Sequence, residues 1–362
     1  MKRSPATAVR STGAPPFASP ERFRVLVTVL GCAVVIIAVA SVSIGAVTIG
    51  LGDIWSSVGQ HLGMVGVGTH SATPVNDQIV WQVRVPRTIL AIVVGAGLAI
   101  AGVVIQVVVR NPLGDPYLIG IVPGASLGAV IVIVFGAGVL GGVSLSAAAF
   151  IGGLLAFALV FVLARRGGQW PPTRLVLAGV AVGYLVSSFT FFFQTIATPN
   201  QSQRVLFWSL GSIAGASWDS LLLPAVVIAA ATTWLMWNSA RLNALASGTD
   251  LGYSLGIDVA RFQMTLMVVV SILTGVIVAE VGGIGFVGLV IPHIARLLVG
   301  ADHRRVVVTA TLLGACFLPL SDIAARVLRA PAELPIGVVT SAIGAPFFLY
   351  LLVSSGRTAR PR

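Results

Sequence analysis

The chain has 362 residues, of which 57% are hydrophobic and only 9% are charged, and its mean hydropathy is +1.01. A water-soluble domain carries about 25% charged residues, so this composition excludes a soluble protein and indicates a polytopic membrane protein. The net charge of +11 would suit a nucleic-acid-binding protein, but the positions of the cations indicate membrane topology instead.

The N-terminal stretch and the run after it set the domain boundaries. Residues 1–22 are rich in serine, proline, alanine and arginine, which predicts a disordered cytoplasmic tail. The apolar run from Val25 to Ala46 is too long for the core of a signal peptide and has no convincing cleavage site, so it predicts a membrane span. We therefore expect a transmembrane domain over 23–356 and a short cytoplasmic tail over 357–362.

Ten apolar runs follow one another along the chain. A helix rises about 1.5 Å per residue and the hydrocarbon core is about 30 Å thick, so we expect an all-α fold of about ten transmembrane helices. An even number of spans places both termini on one side of the membrane. The predicted spans are Val25–Ile49, Arg84–Val109, Leu118–Val139, Leu145–Ala164, Leu175–Ile196, Leu221–Trp237, Met264–Ala279, Ile284–Leu298, Val306–Leu328 and Leu334–Val353.

Three segments between the spans predict structure of their own. A short interfacial helix is expected around Ile54–Leu62, and the amphipathic segment Thr198–Trp218 predicts a helix that lies in the interface or dips into it. The hydrophilic segment Arg241–Arg261 has the pattern of two short helices joined by a tight bend.

The lysines and arginines are distributed unevenly between the two predicted sides. With both termini inside, seventeen of the 22 Lys and Arg residues fall on the inner side and five on the outer side. Cytoplasmic loops carry the excess of positive charge, so we expect both termini in the cytoplasm.

A weak internal similarity links two parts of the chain. The second span contains Gly102 and is followed by Asn111-Pro112, and the seventh and eighth spans have Gly282-Gly283 and Ile291-Pro292 in comparable places. The second and seventh spans run in opposite directions, so the similarity suggests an inverted repeat, as many transporters have. Chance similarity between segments rich in glycine and alanine is the open alternative.

Four motifs carry a family resemblance that covers nearly everything from Val25 to Leu352. They are R-V-P-R at Arg84–Arg87, N-P-L-G-D-P-Y-L-I-G at Asn111–Gly120, G-F-V-G-L-V-I-P-H at Gly285–His293 and E-L-P-I-G at Glu333–Gly337. With these motifs the chain resembles the FecCD-type permease subunits of ABC importers for ferric siderophores, haem and cobalamin.

The resemblance implies the fold of a type II ABC importer permease in the cytoplasmic (inner) membrane. It also implies a second permease subunit, identical or homologous, two ATPase subunits and an extracytoplasmic substrate-binding protein. A ferric siderophore is the expected cargo; haem and cobalamin permeases carry the same motifs. The chain has no phosphate-binding G-x-x-x-x-G-K-[ST] motif, so ATP hydrolysis is expected on a separate subunit, and no catalytic residues, cofactor or metal site are expected in this one.

The outer arginines have two interpretations. In relatives, arginines that match Arg84, Arg87 and Arg326 receive acidic residues on the two lobes of the binding protein, a task that suits the bidentate grip of guanidinium on carboxylate. We extend this docking role to Arg329 by proximity alone. The alternative is that all four are helix-end arginines whose charged heads extend towards water.

The segment Arg241–Arg261 is expected, from the resemblance, to dock as a coupling loop in a cleft of the ATPase. Relatives often carry an acidic residue at the position of Thr249 and alanine at that of Gly252, and a purely structural loop is the alternative. The residues assigned to coupling are Ser247, Gly248, Asp250, Leu255, Gly256 and Ile257.

Two cytoplasmic loops are expected to form the inner gate of the pathway, and the fifth and tenth spans to line it. The gate residues are Asn111, Leu113, Pro172 and Thr173. Turn chemistry alone fits the prolines of these loops equally well. The lining residues are Gly179, Gly183, Ser187, Gly337, Thr340 and Ser341.

A few polar residues in apolar surroundings favour structural roles. Glu280 and Asp322 lack an obvious His or Lys partner, and we expect them to make structural hydrogen bonds rather than a proton relay. His293 is expected to pack, Glu333 to help start the tenth span, and Cys32 and Cys316 to be buried without a disulfide. An ion-coupled secondary transporter and a scaffold without transport are the competing function classes; the segment Arg241–Arg261 argues against the first.

Overall fold

A computed structural model describes residues 15–45, 49–63 and 73–357, and no β-strand occurs within these ranges. The helices are α1 (Pro20–Ser43), α2 (Leu51–His61), α3 (Pro74–Gln78), α4 (Val85–Val109), α5 (Ile121–Phe135), α6 (Leu145–Ala164), α7 (Pro172–Thr195), α8 (Pro199–Ser209), α9 (Leu222–Trp237), α10 (Ser239–Ser247), α11 (Thr249–Ser254), α12 (Val259–Val281), α13 (Val287–Val299), α14 (His303–Val327) and α15 (Ile336–Arg357).

The ten predicted spans correspond one to one to ten apolar helices of the described ranges. Seven of these are long and apolar enough to cross a membrane, and three shorter apolar helices, Ile121–Phe135, Val287–Val299 and Ile336–Tyr350, occupy the places of the third, eighth and tenth spans. The all-α membrane fold is therefore confirmed. The inverted repeat stays a prediction.

The second span begins earlier than predicted. A π-helical turn, Ile79–Arg84, joins α3 to α4, so that one helix runs from Pro74 to Val109. The hydroxyl of Thr73 accepts a hydrogen bond from the backbone N–H of Asn76 and begins this helix. The predicted span begins at Arg84 because the apolar run begins just after it. The helix itself begins earlier, at Pro74, and includes the polar residues in between.

Helices α5 and α13 are too short to cross the bilayer alone. Their 15 and 13 residues correspond to roughly 20 Å of helix. Each is preceded by a non-α-helical segment, 111–120 and 282–286 respectively. The two segments meet inside the protein: a Cβ on Gly288 would lie 2.9 Å from Pro116 Cδ, and one on Gly283 would lie 2.7 Å from the Tyr117 hydroxyl.

Helix α4 is the centre of the fold, with nearly all of its residues buried. It approaches its neighbours at glycine. A Cβ on Gly95 would lie 2.2 Å from the carbonyl oxygen of Gly314 in α14, and one on Gly102 would lie 1.8 Å from that of Gly288 in α13. Small residues at helix crossings let backbones pack closely where lipid supplies no hydrophobic drive.

We expect Gly102→Ala to destabilise the protein markedly. Overpacking typically costs about 1–3 kcal/mol, and the clash here is with backbone, which cannot rotate away, so the upper end of that range applies. Gly31→Ala in α1 is the matched control, because nothing lies within 4 Å of the added methyl group. Thermal unfolding in detergent measures the difference; equal midpoints for the two variants would contradict this crossing.

Three predictions about segments outside the spans need correction. The disordered tail is too long: residues 1–14 lie outside the described ranges, but Phe17 N donates to Leu298 O at 3.1 Å, and α1 already begins at Pro20 behind an N-cap Ser19. The interfacial helix ends at Ser209 instead of Trp218, because Leu210 and Gly211 form a turn in which Gly211 has φ +76°. The predicted C-terminal tail begins one residue too early, because α15 still includes Arg357.

The remaining expectations concern short helices and single residues. The short helix near Ile54–Leu62 is confirmed as α2, and the two short helices of Arg241–Arg261 are confirmed as α10 and α11. Cys32 is exposed, not buried, and lies on a helix that has few buried residues in the described part of the chain. The ring of His293 packs against Phe347 with centroids 6.2 Å apart.

Candidate functional site

Three of the four arginines assigned to docking lie buried in one cluster, where α1, α4 and α14 meet. Arg84, Arg87 and Arg326 are all less than 8% exposed. Asp322, whose side chain is 1% exposed, lies between two of them: Arg87 Nη2 is 2.9 Å from Asp322 Oδ1 and Arg326 Nε is 3.0 Å from Asp322 Oδ2. We call Arg84, Arg87, Asp322, Arg326 and Glu333 the arginine cluster.

The C-terminal end of α1 receives two guanidinium groups of the cluster. Arg84 Nη1 donates to Val42 O at 2.7 Å and to Ser43 O at 2.9 Å. Arg326 Nη1 donates to Ser41 O at 3.1 Å and Ile44 O at 2.7 Å. The last carbonyl groups of a helix have no partners within it, and cations are stabilising there, so these arginines cap α1.

Asp322 and Glu333 therefore have partners that the sequence analysis did not identify. Asp322 bridges Arg87 and Arg326, and Glu333 accepts two hydrogen bonds from Arg87 at 2.9 and 2.8 Å. Glu333 lies three residues before α15 begins, so its interaction with Arg87 replaces the helix-start role expected for it. Arg329, by contrast, is exposed. The structural role expected for Glu280, which is half-buried beside Arg204, stays a prediction.

A large cavity is lined by residues of two predicted sites, the gate and the coupling loop. It has a volume of about 500 Å³, and both the gate residue Asn111 and the coupling residue Ser247 line it. Helix α10 is tied to the start of α14 at this cavity, because Asn243 Nδ2 donates to Asp302 Oδ1 at 2.9 Å and His303 N donates to Asn243 Oδ1 at 2.8 Å. Burial opposes the charge of Asp302, but the bonds from Asn243 and the backbone of Arg304 lower its pKa below the usual value.

The coupling residues form an exposed surface. Ser247, Asp250 and Gly256 are exposed, Gly248 and Ile257 are half-buried, and Leu255 is 62% exposed. Tyr253 and Leu251 beside it are also exposed. The docking role expected for this segment requires apolar side chains exposed in this way.

The residues assigned to the gate and to the pathway lie in different surroundings. Asn111 and Thr173 are exposed, and Leu113 and Pro172 are half-buried. Of the lining residues, Gly179 is buried and Gly183 and Ser187 are half-buried, so they lie away from the open side of α7, which carries Tyr184. In α15, Thr340 is buried, whereas the buried Gly337 and the half-buried Ser341 both line a cavity.

A second cavity lies beside the first turns of α15. Its volume is about 420 Å³, and its lining includes Asp115, Tyr117, Phe286 and the two predicted lining residues Gly337 and Ser341. Asp115 Oδ1 accepts a hydrogen bond from Tyr117 N at 2.8 Å and begins a 3₁₀ turn, Pro116–Ile119. Phe286, the residue before α13, has φ +68°, an uncommon conformation for a bulky residue.

The matched region of the chain decides its family. A sequence profile of the FecCD transport family matches residues 33–354. The chain belongs to the FecCD transport family. It is therefore the membrane-spanning permease subunit of an ABC importer, a class in which a separate subunit hydrolyses ATP.

Individual relatives agree with this assignment. The hemin transport system permease of Yersinia pestis is 36% identical over 336 residues, which cover 91% of this chain and 96% of the relative. A cobalamin import system permease of Halobacterium salinarum is 40% identical over 276 residues, covering 76% of this chain and 73% of the relative. A solved inward-facing ABC transporter of the metal-chelate type has 33% identity and a TM-score of 0.79, with 91% of this chain and 99% of the other covered.

The FecCD permease contains candidate residues that the sequence analysis passed over. Asp115 and Tyr117 belong to the N-P-L-G-D-P-Y motif, of which the sequence analysis assigned only Asn111 and Leu113 to a site, the gate. The signal was present, because an acidic residue between two apolar spans is costly at membrane depth and often functional. Trp81, which stacks on His61 at 4.3 Å and lies 4.6 Å from Trp218, gave no such signal, since these contacts join distant segments.

Proposed function

We propose that this FecCD permease carries an iron chelate across the cytoplasmic membrane into the cell, driven by ATP hydrolysis on its partner subunit. A ferric siderophore is the first candidate cargo and haem the second. The observation that supports iron is the hemin permease relative, which matches 91% of this chain. Cobalamin, the cargo named for another relative, is the third candidate.

The proposed assembly contains two permease subunits, two ATPase subunits and an extracytoplasmic binding protein. Both termini lie in the cytoplasm in this arrangement, as the excess of cations on that side favours. The exposed apolar surface of Leu251, Tyr253 and Leu255 supports docking of the coupling loop into the ATPase. The inner cavity shared by Asn111 and Ser247 supports a gate that responds to movement of this loop.

Docking of the binding protein is proposed at the outer arginines. Arg329 is the exposed member of the four and provides the first contact. Arg84 and Arg326 stabilise the end of α1 beneath it, and Arg87 lies behind the half-exposed Glu333. The pathway itself is proposed along α7 and α15, where Gly337 and Ser341 line the second cavity.

Reconstitution of the complete importer in liposomes tests the cargo and the energy source together. We expect radiolabelled ferric siderophore to accumulate only when the ATPase, the binding protein and ATP are all present. Haem and cobalamin, supplied separately, serve as competing cargoes. Uptake that follows an ion gradient without ATP would indicate a secondary transporter, and no uptake of any chelate would indicate a scaffold; either result contradicts the proposal.

A further inference from the structure

Glu333 is the member of the arginine cluster that an incoming protein can reach. Its side chain is 39% exposed, whereas the side chain of Asp322, on the other edge of the same guanidinium, is 1% exposed. Glu333 lies in the connection between α14 and α15. Arg87 holds it with two parallel hydrogen bonds, Nη1 to Oε1 at 2.9 Å and Nη2 to Oε2 at 2.8 Å.

The other two buried arginines have fixed or buried partners. Arg84 and Arg326 donate to backbone carbonyl oxygens at the end of α1, and Arg326 also pairs with the buried Asp322. The paired bonds of Arg87 with Glu333 instead join it to a side chain that is partly exposed. A second carboxylate can accept the same two hydrogen bonds, because the planar guanidinium donates to any carboxylate in this geometry without changing its own shape.

The net positive charge of the arginine cluster favours the binding of an acidic side chain from a partner. Three guanidinium groups face two carboxylates, which leaves one positive charge in excess. Arg329, four residues before Glu333, adds an exposed cation at the same end of the protein. A partner that presents an acidic side chain therefore meets an attractive field, while Glu333 already occupies the accessible edge of the Arg87 guanidinium.

We propose that Glu333 holds the place on Arg87 that an acidic side chain of the extracytoplasmic binding protein takes when it docks. This inference rests on the proposed function, since it needs a binding protein. Docking is then an exchange of carboxylates, and the tethered Glu333 competes with the partner at a high effective concentration.

The exchange also reaches the beginning of α15. Glu333 is followed directly by Leu334, whose N–H donates to Ala325 O at 3.0 Å, and by the first residues of α15, whose Ile336 N and Gly337 N donate to Gly211 O and Leu210 O. Release of Glu333 removes the side-chain anchor of this connection and leaves only backbone bonds. Helix α15 contributes Ser341 to the cavity of about 420 Å³, so docking loosens an element beside that cavity.

Glu333→Gln in the complete importer tests the exchange, because glutamine keeps the shape and removes the competing charge. We expect the binding protein to dock roughly tenfold more tightly, because the substitution weakens the tethered competitor, which acts at a millimolar effective concentration. Asp219→Asn, an exposed acid outside the cluster, is the matched control and should leave the affinity unchanged. Affinity is measured by surface-immobilised binding protein against importer in lipid nanodiscs.

Unchanged or weaker docking by a folded Glu333→Gln importer overturns the exchange. If that variant does not fold, Glu333→Asp carries the test: its shorter carboxylate reaches Arg87 poorly, so docking should tighten by less than tenfold, and unchanged docking again overturns the inference. Failure of the proposed function gives a different result, because the wild-type importer would then bind no binding protein at all.

Discussion

Asp322→Asn should lower the stability of the permease by about 3–5 kcal/mol, the usual cost of removing one partner from a buried ion pair. Asparagine has nearly the same shape as aspartate and still accepts hydrogen bonds, so the substitution isolates the loss of charge. Arg87 and Arg326, which both contact Asp322 at about 3 Å, would then share a buried site with Glu333 as the remaining acid of the cluster.

The measurement is thermal and denaturant-induced unfolding of the purified permease in detergent, together with its yield from membranes. Asp219→Asn is the matched control, because that acid is exposed and exposed ion pairs contribute only about 0–1 kcal/mol. A double-mutant cycle with Arg87→Gln separates the pair from its surroundings. We expect the double variant to be less destabilised than the sum of the single ones; strict additivity would show that Arg87 and Asp322 are not coupled.

The number and order of the helices could be predicted from the sequence because they depend on local properties. Run length against bilayer thickness identified ten spans, and the cluster of polar residues and glycines at Arg241–Arg261 identified two short helices. The predicted boundaries were less accurate where a helix extends beyond its apolar run. At Arg84 the apolar run begins, but the helix already includes the polar segment before it.

The interactions of the arginines could not be predicted because they join residues far apart in the chain. Arg87 and Asp322 are separated by 235 positions, and nothing in either neighbourhood indicates the other. The resemblance assigned the arginines to docking, whereas the fold places three of them beneath the surface. Asp115 is a different case: its charge between two apolar runs was visible in the sequence, and only the packing of Pro116 on Gly288 joins distant segments.

Leu255→Asp should abolish the association of the permease with its ATPase while leaving the permease itself folded. Leu255 is 62% exposed in the single subunit, so its replacement removes little packing within this chain. We expect the unfolding midpoint of the purified permease to change by less than that of Asp322→Asn, whose side chain is buried.

The effect appears only in the complex, where we expect the side chain to enter an apolar cleft of the ATPase. An unpaired charge buried there costs several kcal/mol, and every 1.4 kcal/mol lowers affinity about tenfold, so the affinity should fall by at least about a hundredfold. Leu255→Met is the matched control: it keeps an apolar side chain of similar volume and should retain both association and transport.

Co-purification of the ATPase with tagged permease, followed by uptake into liposomes, measures both consequences. The Asp variant should insert into the membrane, lose the ATPase during purification and transport nothing, whereas the Met variant should behave like the wild type. Stoichiometric co-purification of the Asp variant with normal transport would show that this loop is not the ATPase dock. Tyr253 and Leu251 are exposed beside Leu255. An intermediate loss of affinity for the ATPase in Tyr253→Asp would therefore show that Tyr253 lies at the edge of the contact.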